Sequence, residues 1–273
     1  LQPPKRLRNE NLTWESKFST NVGFDLGFFS NRINLTFDYY NDVTKDLIME
    51  VQLPSNAGYS SQYQNLGQTT NRGVELSLNA NLVQTKDFYL DFNFNIAFNK
   101  NKVDALYGAN GDEMILSGGG TETGSDNYRV FVGQEVGLMY GYVSDGMYSF
   151  DDFTFNPTTK KWDIVTTKDE NGVPIVTDCS GVLSRAGGYF GPGHMKLKDL
   201  NGDGVIDADN DRKVIGHALP KHTGGFSFNA GWKGFDVTAM FNWSYGNDIL
   251  NINKVDYTSY TGSKRYQNLS NDM

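Results

Sequence analysis

The chain has 273 residues, a formal charge of −8 and a hydrophobic fraction of 38%. That length allows one large or two ordinary domains, and the apolar fraction is low for a chain with a large closed core. No apolar run of about 18 residues is present, which excludes a transmembrane helix but not a barrel of alternating strands, and no basic stripe is available for nucleic acid.

Residues 1–16 form a polar lead-in containing Pro3-Pro4. Period-two alternation then begins. Val22, Phe24, Leu26 and Phe28 oppose Asn21, Gly23, Asp25 and Gly27, and Ile33, Leu35, Phe37 and Tyr39 oppose Asn34, Thr36, Asp38 and Tyr40. These runs predict a first hairpin over 17–48, followed by a Gly/Ser/Gln/Asn-rich loop over 49–70. A second hairpin is predicted over 71–101. Val74, Leu76, Leu78, Ala80 and Leu82 share one face of its first strand, and Phe88, Leu90, Phe92, Phe94, Ile96 and Phe98 share one face of its second. A third hairpin is predicted over 223–252, with Phe226, Phe228, Ala230 and Trp232 followed by Phe235, Val237, Ala239, Phe241, Trp243 and Tyr245. Each run suits a tilted strand of roughly 9–11 residues crossing a bilayer, with apolar residues toward lipid and amides and carboxylates toward an aqueous lumen. The tail, 253–273, is polar.

Three turns test the register, because residues paired across a hairpin share a face. A turn at Ser30-Asn31 pairs Phe28 with Ile33. A turn at Gln84-Thr85-Lys86 pairs Leu82 with Phe88, and Lys233-Gly234 pairs Trp232 with Phe235. All six partners lie on apolar faces. The fold expected is all-β, part of a large antiparallel transmembrane barrel with short turns on one side and long extracellular loops on the other. Six strands fall short of the eight or so of the smallest membrane barrels, and Leu1 is not an initiator methionine; a fragment is therefore expected.

The region 102–222 is too long to lack structure. Within it Gly137–Val143 reads as a strand that Tyr148-Ser149-Phe150 extends. Asp199-Leu200-Asn201-Gly202-Asp203-Gly204-Val205-Ile206-Asp207 has the spacing of a calcium loop. Oxygen donors fall at positions 1, 3 and 5, glycine at 6, the Val205 carbonyl at 7 and Asp207 at 9. Position 12 is Asn210, so Asp211 is the expected closing ligand. The expected cofactor is a structural Ca²⁺ held by Asp199, Asn201, Asp203, Val205, Asp207 and Asp211. His194, His217 and His222 lack metal-ligand spacing and read as solvated loop histidines. Cys179 reads as an incidental loop thiol. No arrangement suited to covalent catalysis is found, so no enzyme is expected.

Several blocks extend the reading. Asn11-Leu12-Thr13-Trp14-Glu15 is followed by Gly23, Asp25, Gly27 and Phe29, and then by Asp38-Tyr39-Tyr40. Asn71-Arg72-Gly73-Val74-Glu75-Leu76-Ser77-Leu78 comes next, then Tyr140-Gly141-Tyr142 with Asp145-Gly146. The last block is Lys198–Asp207 with Asp211-Arg212, Ile215-Gly216 and Gly225-Phe226. Together they resemble the SusC/RagA family of TonB-linked outer-membrane transporters from about Asn11 to Leu250. The resemblance implies a C-terminal part of a 22-stranded, plugged barrel in the outer membrane of a Gram-negative bacterium. It also implies import of glycan or peptide fragments with a SusD-like lipoprotein and TonB as partners. Plug, TonB-contacting segment and final strands are not seen in the chain. Against the family's pattern one residue is inserted near Asp209, which sets Asp211 one step late as the last ligand. The alternative is a secreted, calcium-stabilised β-sandwich that binds carbohydrate; it would bury the aromatic faces that a barrel leaves exposed to lipid.

Overall fold

The computed structural model describes residues 6–106, 113–116, 127–170, 172, 175–183, 190–251 and 254. The chain divides into two compact units, Leu1–Leu138 with Gly216–Met273, and Met139–Ile215.

The first unit is built on one six-stranded sheet: β1 (Ser16–Phe28), β2 (Ile33–Lys45), β3 (Gln68–Gln84), β4 (Phe88–Ala105), β5 (His222–Trp232) and β6 (Phe235–Tyr245). Each strand pairs antiparallel with the one before it, so the sheet is an uninterrupted meander, and β5 lies beside β4 although residues 106–221 separate them in sequence.

The register carries like onto like. One row runs Leu26, Leu35, Leu78, Phe94, Phe226 and Phe241, and the next runs Phe28, Ile33, Ala80, Phe92, Phe228 and Ala239. A third holds Phe24, Phe37, Leu76 and Ile96. Phe37, Leu76, Phe92 and Phe94 therefore share one face. Rings stack across it, Phe24 on Phe37 at 5.1 Å and Phe226 on Phe241 at 4.8 Å between centroids. The opposite face carries rows such as Asp25, Thr36, Ser77 and Asn95. There the Thr36 hydroxyl donates to Asp25 (2.6 Å) and the Asn93 amide to Ser227 (3.2 Å).

Two of the expected turns match. Phe28 pairs with Ile33, and Trp232 with Phe235 across Lys233 and Gly234, both at positive φ as a tight hairpin requires. The third differs. Leu82 is not paired with Phe88; it is the extra residue of a bulge between Asn81 and Val83, and the ladder resumes with Val83 opposite Leu90 and Gln84 opposite Tyr89. A bulge sets two residues against one, so the turn tightens onto Thr85 and Phe88, whose backbone bond is 2.8 Å.

Other boundaries also move. The second hairpin runs longer than 71–101, and β6 stops at Tyr245. The segment 49–70 is not only loop, because Ile48–Gln52 and Ser61–Asn65 pair antiparallel and Arg6–Leu7 adds parallel to Ser61–Asn65. Leu138–Tyr142 is the strand expected near 137–143. Ser144–Met147 is a separate strand, and Phe150–Asp152 is a 3-10 turn rather than an extension.

The second unit has a core of its own: Tyr148, Phe153, Val176, Cys179, Leu197 and Ile206, with Trp162 and Phe190 against it. Cys179 is thus a buried core residue rather than an incidental loop thiol. Two short hairpin-like pairs frame this core, Ser144–Met147 with Met195–Leu197 and Phe153–Asn156 with Lys161–Ile164. The six-stranded sheet contrasts with it. Among its described residues only Ala80 and Val103 are buried apolar side chains, while Phe24, Leu26, Trp232 and Phe241 stay about half exposed and Phe235 is 73% exposed.

Candidate functional site

Three features stand out for function: the acidic loop of the second unit, and the two faces of the sheet in the first.

The loop 199–211 turns where glycine permits, with Gly202 and Gly204 at φ of 80° and 84°. The Asp199 carboxylate accepts the N–H groups of Gly202 (2.6 Å) and Gly204 (2.7 Å). Asn201 accepts from Asp203 N–H (3.1 Å), and Asp203 from Val205 N–H (2.8 Å). Asp207 accepts the N–H groups of Asp209 and Asn210, and also the Asn210 side-chain amide (3.0 Å). The Asn210 bonds, with that of Asp209, hold the Asp207 carboxyl below the usual carboxylate range. Asp211 is fully buried and clasps the two ends of the loop, one oxygen on Leu200 N–H (2.9 Å) and the other on Asp207 N–H (2.8 Å). The loop is anchored through Ile206, buried in the core, and through a bridge in which Asp178 N–H meets Gly204 O and Ile206 N–H meets Asp178 O (both 2.8 Å). All six expected ligands thus lie in one wound segment, with the carboxylates turned onto backbone amides. Among the described residues no three His, Cys, Asp or Glu side chains converge as a chelating group. Carboxylate and amide oxygens retain lone pairs after such bonds, so the donor set is of the type calcium takes.

On the polar face, two tyrosines lie flat over glycines and reach the strand beyond. Tyr40 on β2 crosses Gly73 on β3 to donate to Asn99 on β4 (3.1 Å), and Tyr89 on β4 crosses Gly231 on β5 to donate to Asp236 on β6 (2.9 Å). A Cβ on Gly73 would sit 2.2 Å from the Tyr40 ring, and one on Gly231 would sit 2.1 Å from the Tyr89 ring. Beside Tyr40 a concavity of about 560 Å³ is lined by Asp38, Asp42, Glu75, Asn71 and Asn99. These residues come from three strands, and the register brings them together in three successive rows, Asp38 with Glu75, Tyr40 with Asn99 across Gly73, and Asp42 with Asn71.

On the apolar face, aromatic residues bracket the sheet. At the short-turn end stand Phe88, Trp232 and Phe235, joined by register. At the other end stand Tyr39, Phe98, His222 and Tyr245, with His222 5.6 Å from the Phe98 ring and 5.0 Å from the Tyr245 ring. His222 is therefore not a solvated loop residue; it opens β5 and accepts the Trp243 indole N–H at Nδ1 (3.1 Å). His217 Nδ1 lies 2.6 Å from a Glu135 carboxylate oxygen. Phe88 to Phe98, His222 to Trp232 and Phe235 to Tyr245 each span ten steps along a strand. At about 3.3 Å per residue and a tilt near 45°, that is roughly 23 Å, close to the ~25 Å apolar band between the aromatic girdles of outer-membrane barrels.

A meander polar on one face and apolar on the other, girdled in this way, defines a barrel-wall segment of the outer-membrane type. A family model described as TonB dependent receptor-like, beta-barrel, matches residues 2–273, and the chain belongs to that family. It is 34% identical to a TonB-dependent receptor of Formosa agariphila over 90% of this chain and 23% of that protein. It is 27% identical to the TonB-dependent receptor SusC of Bacteroides thetaiotaomicron over 96% of this chain and 23% of SusC. Among solved structures, the RagAB peptide transporter matches 96% of this chain and 26% of its own at a TM-score of 0.62 and 22% identity, a likeness of fold. The chain spans about a quarter of the length of these curated relatives. The sandwich alternative is set aside by this membership and by the uncovered apolar face.

Proposed function

We propose that this chain is part of the wall of an outer-membrane importer that takes up glycan or peptide fragments, energised through TonB and capped by a SusD-like surface lipoprotein. The observation that carries the reading is the exposed apolar face bounded by two aromatic rows at bilayer spacing, on the opposite side of the sheet from rows rich in amides, hydroxyls and carboxylates. The polar face would line the lumen, and the long segments 46–67 and 106–221 would face outward from the cell, since long loops in such barrels are extracellular. The names of the relatives, SusC and a peptide transporter, support the import of nutrients. The test is a strain lacking the full-length protein: it should lose uptake of a labelled oligosaccharide or oligopeptide pool, and the tagged protein should co-purify with a lipoprotein. Normal uptake of both pools would overturn the reading.

In the same reading a Ca²⁺ ion sits in the loop 199–211 and pins the long external segment, because an ion bound only by the ordered loop stabilises that order. Calorimetric titration of chelator-treated full-length protein should give binding heat by millimolar calcium. Asp203→Ala should abolish it and loosen residues 195–215 more than the barrel strands. Absence of heat would leave the loop as a turn cluster clasped by Asp211.

A further inference from the structure

In a chain of charge −8, one part of the apolar side is basic. Just beyond the Tyr39–Val74–Phe98 row, at the long-loop end, the register places Asn41, Arg72 and Lys100 in the next row on the same face. Further along that face Lys45 lies over the Phe18 ring at 5.5 Å, and Lys102 is taken by Asp104 at 3.5 Å. β4 runs on to Ala105 where β5 has already ended at His222, and the step leaves a cleft of about 790 Å³. Its floor is Tyr39, Val74 and Phe98, and Arg72, Lys100 and Lys221 stand around it. Arg72 directs Nε to Asn41 (3.0 Å), while Lys100 and Lys221 have no ion-pair partner among the described residues. The stem of Lys221 packs where a Cβ on Gly246 would come within 2.8 Å of it. The cleft also contains two carboxylates, Glu135 beside His217 Nδ1 (2.6 Å) and Asp248 accepting the His217 backbone N–H (2.9 Å), so three cations stand against two acids there.

We propose that this cleft seats the phosphorylated headgroup of an outer-leaflet glycolipid. The inference rests on the barrel reading above and adds a ligand to its outer surface. An aromatic row marks the level at which acyl chains give way to headgroups. Three cations over an apolar floor at that level match an amphiphile whose phosphate sits directly above its chains. The guanidinium and two ammonium groups supply charge-assisted bonds that phosphate oxygens accept, and basic pockets at this depth are a recurrent means of holding lipid headgroups. The cleft volume suits a headgroup rather than a bare ion.

The test uses the full-length protein extracted from outer membranes, with retained lipid A counted by native mass spectrometry after detergent exchange. The wild type should keep one bound molecule. Arg72→Gln/Lys100→Gln/Lys221→Gln should reduce retention by about fivefold per cation removed. Dephosphorylated lipid A should not be kept, and excess inorganic phosphate should not displace the native lipid. Equal retention by the triple variant or of the dephosphorylated lipid would overturn the proposal. Displacement by phosphate alone would make the cleft a free-anion site and overturn the lipid assignment, as would loss of a co-purifying lipoprotein with lipid unchanged. Lys100→Gln alone, at a side chain without an ion pair among the described residues, serves if the triple variant does not assemble. Failure of the wild type to reach the outer membrane would instead sink the barrel reading itself.

Discussion

At the scale of single residues, the paired motif of tyrosine, glycine and acceptor is the most specific feature of the polar face. Covering a strand glycine with a cross-strand ring removes the exposed backbone that glycine leaves and fixes register. Tyr40→Phe should lose about 1 kcal/mol, the worth of one hydrogen bond. Gly73→Ala should cost more, about 1–3 kcal/mol, because its Cβ meets the ring. In bilayer unfolding titrations of the full-length protein, Tyr40→Ala/Gly73→Ala should recover part of the Gly73→Ala loss; strict additivity would show that ring and glycine are not coupled. Asp211 is the other decisive residue. Asp211→Ala removes the acceptor of the Leu200 and Asp207 N–H groups, at about 1 kcal/mol for each hydrogen bond lost. Hydrogen exchange across 199–211 should therefore rise even in chelator, whereas Asp203→Ala, which in chelator loses only the Val205 N–H and Asn201 amide bonds of a solvent-facing turn, should act more strongly when calcium is present. The spacing of Asp199, Asn201 and Asp203 was readable because ligand types recur at every second residue. The clasp made by Asp211 was not, because it depends on burial, which local spacing does not reveal.

At the scale of elements, the bulge at Leu82 separates alternation from register. Deleting Leu82 should leave the flanking pairs Asn81–Asp91 and Val83–Leu90 intact and yield an assembled, heat-modifiable barrel. Deleting Asn79 instead reverses the faces of one arm of the strand and should block assembly; equal behaviour of the two deletions would argue against a bulge. The six long strands were legible because a two-sided environment enforces period two on Phe, Leu and Val. The strands Ile48–Gln52 and Ser61–Asn65 were not, since Gln62, Gln64 and Asn65 bind by side-chain amides rather than by an apolar face. Asn65, for example, donates to the carbonyls of Thr13 and Asp46. This small sheet also has a pH signature. The Arg6 guanidinium, and then the Ser61 hydroxyl, lower the Glu50 carboxyl below its ordinary range. A depressed folded-state value stabilises above the unfolded value of about 4.3 and is lost as pH falls through the folded one. Amides of 48–65 should thus exchange faster below about pH 4, and Arg6→Gln should weaken that pH dependence, leaving the part due to Ser61.

At the scale of the whole molecule, the contrast between the two units decides solution behaviour. The second unit closes a core around Cys179 and Ile206, while among the described residues the sheet leaves its aromatic face and both edges, β1 and β6, open. Open edges and an apolar face of this extent drive association in water. The isolated 273-residue chain should aggregate without detergent or remain bound to it, as light scattering would show. A detergent-free monomer with a cooperative thermal transition would contradict this.

The adjacency of β4 and β5 has a consequence for how such a protein can diversify. Everything between Ala105 and His222 departs from and returns to neighbouring strands, so its content can change without re-pairing any strand. Closing that span instead of a four-residue turn costs only roughly 3 kcal/mol of chain entropy, since the penalty grows as the logarithm of length. The wall therefore acts as a socket. Whole segments of 106–221 could be exchanged between relatives like cartridges while the six strands keep the same partners.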